Sequence, residues 1–320
     1  MFRIGILGAA DIAFNKFIPA LMKVEGVECA GVASNSPDKL KRFVEKYNVH
    51  VYSSYNEVIG DDSVDCVYIP LPPAFHYEWA KKALLAGKHV FLEKPSTTSA
   101  DDTKELVGIA GEKGLVVQEN YMFRFHAQLK EIESFIASGE LGKLRLVRTS
   151  FGFPRRAEGD FRYVKELGGG TMMDNGGYTI KLIDMLLGES MRLVSSQLDY
   201  DEKTGIDIFG TAEFVNDDGV IAQAAFGMDC QYQCSLELWG SRGRLTTGRI
   251  YTAPDGFKPV ALVETGAGSR NVELPSCDAF EESIKMYLRA VEDERLRESM
   301  AHELVRQAEF VDDVRGMDRK

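Results

Sequence analysis

No run of apolar residues in this sequence approaches the ~20 needed to cross a bilayer as a helix, and the opening Met1-Phe2-Arg3-Ile4 reads as the start of a strand, not a secretory leader. A cytoplasmic protein with no membrane partner is expected. Positive charge is also in short supply. With 38 Lys and Arg against 49 Asp and Glu, the formal net charge is -11, so the chain as a whole repels nucleic acid and anionic membranes. Cysteine is sparse: of five, only Cys230 and Cys234 lie close together. Four strand positions separate these two by roughly 13 Å, too far for a disulfide. No neighbouring His or Cys completes a zinc set, so reduced thiols and no metal site are expected. Internal repeats and low-complexity linkers are missing as well.

What is present is enough apolar sequence for two cores. At 320 residues and 44 % hydrophobic, the chain exceeds the length at which a single core keeps growing. Residues 1–121 alternate short apolar runs with helical patterns, the mark of βαβ units around a parallel sheet. The strands expected are 3–7, 27–33, 66–70, 89–92 and 115–118, with helices over 12–24, 37–47, 75–86 and 100–113. Gly87 suits a helix end and Ser99 a helix start. After Tyr121 the rhythm changes. A helix over 128–137, a strand over 144–153 and a glycine-led helix over 177–187 precede successive strand patterns near 193–198, 206–215, 220–229 and 232–239. Asn216-Asp217-Asp218-Gly219 is turn chemistry between two of these, so a meandering antiparallel sheet is expected, followed by further helices.

The first strand runs directly into Gly8-Ala9-Ala10-Asp11-Ile12-Ala13 and a helix. This is the place of the dinucleotide fingerprint, whose glycines make a tight turn, admit the pyrophosphate and pack helix on strand. Here the set is Gly8, Ala10 and Ala13, with Asp11 and Ile12 opening the helix whose N-terminus favours phosphate. The tip of the second strand reads Ser34-Asn35-Ser36-Pro37-Asp38-Lys39. A carboxylate at this tip binds the ribose 2′-hydroxyl and repels a 2′-phosphate. Ser34, Asn35 and Ser36 all donate to phosphate, with Lys39 and Arg42 on the next helix, and Asp38 reads as a first-turn helix acid. NADP(H) is therefore favoured, with NAD(H) as the alternative.

Two further stretches carry chemistry. Glu93-Lys94-Pro95 ends the fourth strand, where ligands sit in open α/β sheets, and proline pushes Lys94 out of helical geometry. Taken alone, the tripeptide reads as a surface strand end with a solvated lysine. Gly168-Gly169-Gly170-Thr171-Met172-Met173-Asp174-Asn175-Gly176-Gly177-Tyr178 packs five glycines around a helix start, a large entropic cost that close approach of backbone to a ligand would explain. On a continuous helix Asp174 and Tyr178, four apart, share a face.

Together these residues resemble the Gfo/Idh/MocA oxidoreductases, the glucose-fructose oxidoreductase and inositol dehydrogenase group. The resemblance covers essentially the whole chain: the Gly8 turn, Pro70-Leu71-Pro72 with His76, Glu93-Lys94-Pro95 and the Asp174-x-Gly-x-Tyr178 helix. It implies a Rossmann domain over 1–121 and an α+β domain with an open, mostly antiparallel sheet over 122–320. The C-terminal helices would pack back on the first domain and the open sheet would form a homodimer or homotetramer.

Residue by residue, the resemblance implies that Lys94 contacts the nicotinamide ribose and the reacting hydroxyl, and that Asp174 holds substrate. Tyr178 takes the place of a histidine proton donor, there being no histidine between His126 and His302. An ordinary phenol, with a pKa near 10, is a poor base at neutral pH, and a neighbouring ammonium such as Lys94 lowers that value. Pro70, Leu71, Glu93 and Pro95 fall in the cofactor segments. His76 is implied to stack near nicotinamide, its alternative being a surface residue.

Gln118-Glu119-Asn120-Tyr121-Met122-Phe123-Arg124-Phe125-His126 and Gly159-Asp160-Phe161-Arg162-Tyr163 resemble segments of sugar 3-ketoreductases acting on nucleotide-linked deoxysugars. Arg124, His126 and Arg162 are the substrate-binding candidates these segments supply, His126 having a core or capping role as its alternative. Arg155, Arg156, Arg162 and Lys181 suit an anionic substrate or else are solvated surface charges. The function implied is interconversion of a ketone and a secondary alcohol on a sugar or nucleotide sugar. An aldose or trans-dihydrodiol dehydrogenase is the alternative within the enzymes, and a non-catalytic NADP-sensing regulator is the alternative outside them.

Overall fold

The computed structural model describes residues 1–157 and 159–317. The chain divides into two units, Met1–Asn120 with Phe280–Ala308, and Tyr121–Ala279 with the residues from Glu309 onward.

In the first unit the expected apolar runs form β1 (Phe2–Leu7), β2 (Val27–Ala33), β3 (Cys66–Ile69), β4 (His89–Leu92) and β5 (Val117–Glu119). They pair in the order β2-β1-β3-β4-β5, all parallel. Their central residues are buried on both faces, which is why they read as continuous apolar runs and not as alternating ones. The order reverses at β1, so the crevice beyond the C-terminal ends of β1 and β3 is the switch point where such sheets take ligands.

Helices α1 (Ile18–Leu21), α2 (Pro37–Tyr47), α3 (Tyr55–Gly60), α4 (His76–Leu85) and α5 (Ala100–Lys113) connect these strands. The helix expected over 12–24 forms with a π-helical turn, Ala13–Phe17, inside it, ahead of α1. Helix α3 is an addition to the expected elements. Ser54 Oγ accepts from the Glu57 N–H at 3.2 Å, and the Glu57 carboxylate reaches back to the Ser53 N–H at 2.6 Å, a variant of the capping box. Ser99 caps α5 as expected, accepting from the Asp102 N–H at 3.2 Å.

The second unit holds α6 (Gln128–Ala137), β6 (Leu144–Gly152), α7 (Gly177–Leu187) and seven more strands: β7 (Arg192–Tyr200), β8 (Asp207–Val215), β9 (Ile221–Gly227), β10 (Gln233–Gly240), β11 (Gly243–Gly248), β12 (Val260–Thr265) and β13 (Gly268–Glu273). The chain ends in α8 (Ala279–Glu292) and α9 (Glu294–Met317). The eight strands form one sheet in the order β13-β12-β11-β10-β6-β9-β8-β7. A plain meander was expected. Instead β6 inserts between β9 and β10, parallel to the former and antiparallel to the latter. The Gly219 turn between β8 and β9 forms as read, with Gly219 N–H on the Asn216 carbonyl at 3.0 Å.

Alternate residues of this sheet face a single apolar core that includes Ile180, Leu182 and Ile183 of α7. The opposite face carries a cross-strand row of charge and amide, Glu213, Gln223, Arg148, Glu237, Arg244 and Glu264. Trp239, Val260, Ile221 and Phe209 are exposed strand residues as well. Among the described residues no helix is long and apolar enough to cross a membrane.

Candidate active site

In the first unit, β1 is followed at once by Gly8, whose N–H donates to the Ala33 carbonyl at 2.9 Å. Its φ is +123°, and a Cβ here would stand 2.8 Å from Leu71. Glycine is thus required both by conformation and by the close approach of the loop after β3. The Asp11 carboxylate is paired with the Arg42 guanidinium at 2.6 Å. That guanidinium also donates to the Ala9 carbonyl at 3.2 Å and lies over the Phe14 ring, 4.6 Å from its centroid. At the tip of β2, Ser34 Oγ accepts from the Ser36 N–H at 3.1 Å, and Asn35, Ser36 and Lys39 are exposed.

The Glu93-Lys94-Pro95 end of β4 is anchored by its neighbours. Tyr68 Oη and Asn120 Nδ2 donate to the Glu93 carboxylate at 2.7 and 2.8 Å, while burial pushes its pKa up. The Ser96 N–H donates to Glu119 at 2.6 Å. Lys94 is half-buried and its bond to Pro95 is cis. His76 is neither a surface residue nor open for stacking. Its ring is fully buried, with Nδ1 2.8 Å from the Pro95 carbonyl and Nε2 2.7 Å from the Leu71 carbonyl. Both ring nitrogens face backbone carbonyls.

In the second unit, Tyr178 is 7 % exposed and sits among aromatic rings. Tyr121, Phe151, Phe123 and Tyr251 lie 4.9, 5.2, 5.6 and 5.7 Å from it, centroid to centroid, and its hydroxyl reaches Met122 Sδ at 3.7 Å. Asp174 accepts from Arg162 Nε at 2.8 Å, and Arg162 Nη1 donates to Asp160 at 3.1 Å. Burial opposes the Arg162 charge, but the two carboxylates outweigh it and raise its pKa. Arg162 is therefore already engaged in an ion pair by the residue expected to hold substrate. The turn before α7 is not α-helical. Met172–Gly176 is a π-turn, and such bulges recur at functional sites.

The glycine run has a different cause from the one its sequence suggests. The Gly169 and Gly170 N–H groups donate to the Val164 and Arg162 carbonyls at 3.0 and 2.9 Å. A Cβ on Gly169 would stand 2.5 Å from the Arg162 carbonyl oxygen, and one on Gly170, at φ +117°, 2.2 Å from the Asp207 carboxylate. The close approach is to protein, and it carries Arg162 to Asp174. Asp207 was not anticipated. Buried at the start of β8, it accepts from the Met172 N–H at 2.6 Å and so caps the N-terminal end of the helix whose next turns carry Asp174 and Tyr178. Only a strand-end acid marked it in the sequence.

Of the remaining candidates, Arg124 lies over Phe125 at 5.0 Å. His126 is buried and accepts at Nδ1 from the Gln128 N–H at 3.2 Å, leaving Nε2 without a hydrogen-bond partner among the described residues. Burial lowers its pKa, so the neutral ring carries its proton on Nε2. Lys181 is no surface charge, being 3 % exposed. Arg155 is one, paired with Asp229 at 3.3 Å and about half exposed.

A parallel sheet with a glycine turn at its switch point, followed along the chain by an open, mostly antiparallel sheet, defines a dinucleotide-binding oxidoreductase of two-domain type. The chain belongs to the GFO/IDH/MocA family: residues 2–121 match its oxidoreductase family model, an NAD-binding Rossmann fold, and residues 129–246 match its C-terminal domain. It is 36 % identical over 98 % of its length, and 94 % of the relative's, to a dTDP-3,4-didehydro-2,6-dideoxy-alpha-D-glucose 3-reductase of Actinomadura kijaniata. A D-xylose 1-dehydrogenase (NADP(+)) of Haloferax volcanii is 31 % identical over 90 % of this chain and 88 % of its own. Among solved structures, a 3-ketoreductase from Actinomadura kijaniata in complex with NADP and TDP-benzene superposes with a TM-score of 0.95, at 35 % identity over 99 % of this chain and 97 % of that one. That enzyme has also been solved with one tyrosine changed to phenylalanine and with one lysine changed to alanine or glutamate.

Proposed function

We propose that this oxidoreductase reduces a ketone on a nucleotide-linked deoxysugar to a secondary alcohol with NADPH, Tyr178 donating the proton. The observation that carries the reading is likeness to a dTDP-sugar 3-reductase along 98 % of the chain. The β2 tip fits the phosphorylated cofactor, with hydroxyl and amide groups at Ser34, Asn35 and Ser36, Lys39 exposed beside them and no carboxylate among the three. Bound NADPH supplies the hydride, and the chain's own side chains hold and move the proton.

Tyr178 is the proton donor in this reading, and the four aromatic rings around it support the role by holding its phenol in one orientation. Asp174, fixed by Arg162, orients a sugar hydroxyl. Lys94 contacts the nicotinamide ribose and the reacting oxygen. His126 offers a buried N–H at Nε2, a donor for a sugar hydroxyl, and Arg124 faces the anionic part of the substrate. The open sheet face, with Trp239 and Val260 half exposed, pairs with a second copy; a monomer in light scattering at micromolar concentration would contradict this part.

The decisive assay follows absorbance of the reduced nicotinamide with a dTDP-3-keto-deoxysugar, NADPH and NADH, and D-xylose with NADP⁺ in parallel. Turnover with the nucleotide sugar is expected. Turnover with xylose alone would favour the aldose dehydrogenase reading, which rests on the Haloferax volcanii likeness. Flat traces with cofactor bound would favour a sensor. Tyr178→Phe should bind NADPH normally and lose about 10²- to 10⁴-fold in kcat, the usual contribution of a general acid; undiminished turnover would remove Tyr178 from the mechanism.

A further inference from the structure

His76 opens α4 with its ring fully buried between two carbonyl oxygens that belong to different strand ends. Nδ1 lies 2.8 Å from the oxygen of Pro95, the residue after Lys94, and Nε2 lies 2.7 Å from the oxygen of Leu71, in the loop after β3. Carbonyls only accept, and the neutral ring that burial favours carries a single proton, so it donates to one of these two oxygens at a time. Pro95 has no N–H with which to tie this segment to its neighbours. The segment is otherwise anchored through the Glu93 carboxylate on one side and the Ser96 N–H on the other. The Lys94 side chain projects from this backbone, so a shift of the backbone moves the base from which its ammonium reaches.

We infer that His76 is a positioning residue: through the Pro95 carbonyl it fixes the backbone from which Lys94 projects, without itself touching cofactor or substrate. The inference rests on the reading above in which Lys94 takes part in turnover. The other ring nitrogen faces Leu71, the residue against which Gly8 packs.

Asparagine and glutamine separate the two contacts. The His76→Asn amide nitrogen takes roughly the place of Nδ1 and keeps a donor on the Pro95 carbonyl, whereas that of His76→Gln takes roughly the place of Nε2 and can donate only towards the Leu71 carbonyl. The expected result is a kcat loss under about threefold for His76→Asn and about 10- to 100-fold for His76→Gln, the scale on which a slight misplacement at a distance is felt. The Kd for NADPH, read by nicotinamide fluorescence, should stay within about threefold in both. In a Lys94→Met background His76→Gln should cost nothing more, since the two act as a unit.

Equal losses for Asn and Gln, or a Kd that rises in step with the loss of kcat, would mean general structural damage and overturn the inference. If Lys94→Met is inactive while His76→Gln turns over normally, the inference alone falls. If Lys94→Met itself turns over normally, the role given to Lys94 falls, and the inference with it.

Discussion

Burial of His76, His89 and His126 lowers the pKa of all three imidazoles, and this has a measurable sign. Below the ordinary histidine value of about 6.5 the unfolded chain takes up protons that the folded chain refuses. Stability therefore falls as pH drops through that value and keeps falling until the folded pKa values are reached. Each histidine contributes at most about 1.4 kcal/mol per pH unit. Glu93 works in the opposite sense, since its folded carboxyl titrates above its usual range. Urea unfolding at pH 7.5, 6.5 and 5.5 should show a net loss towards acid, and His126→Gln should flatten it; an unchanged midpoint across that window would contradict the account. At Cys29, burial pushes the thiol up to about 12, so at pH 8 only about one molecule in 10⁴ carries the thiolate that alkylates. Iodoacetamide should label Cys29 far more slowly in the folded protein than in urea.

Between residue and molecule, the segment from Arg162 to Tyr178 behaves as one piece, laced by the Gly169 and Gly170 N–H groups and closed by Asp207 on the Met172 N–H. Gly170→Ala would impose a side chain on a left-handed backbone and displace that carboxylate from its donor. A loss of roughly 2–4 kcal/mol is expected in urea unfolding, from backbone strain together with a charged hydrogen bond. Gly219→Ala, also left-handed but with open space around it, should cost less. Where hydrophobic period and capping agree, the elements were legible: β2, β4, α2, α5, α6 and α7 fall where the sequence puts them. Helix α3 is too short for periodicity to register, though Ser54-x-x-Glu57 announces its start. The glycine run was visible but its cause was not, because the partners that crowd it, Arg162 and Asp207, are distant along the chain or in another element. His76 went astray for a related reason: a histidine at a helix start says nothing about which carbonyls will surround it. The insertion of β6 was equally hidden, since local pattern specifies a strand and not its neighbours.

At the scale of the whole molecule, a cofactor that binds only the folded state adds about 2.7 kcal/mol of stability at a hundredfold excess over its Kd. NADPH should therefore raise the midpoint of thermal unfolding more than NADH at equal concentration; the reverse order would overturn the reading of the β2 tip. The first unit contains a part that the N-terminal sequence cannot supply. Cys66, Gln118 and Asn120 find Tyr287 and Ser283 from near the far end of the chain, and the Phe2 and Phe91 rings lie against Tyr287. A fragment of residues 1–121 should consequently be less stable than the intact protein and bind ANS. On the ribosome, the nucleotide-binding half is begun first yet must wait, nearly complete and with an open seam, until almost the last helix has emerged.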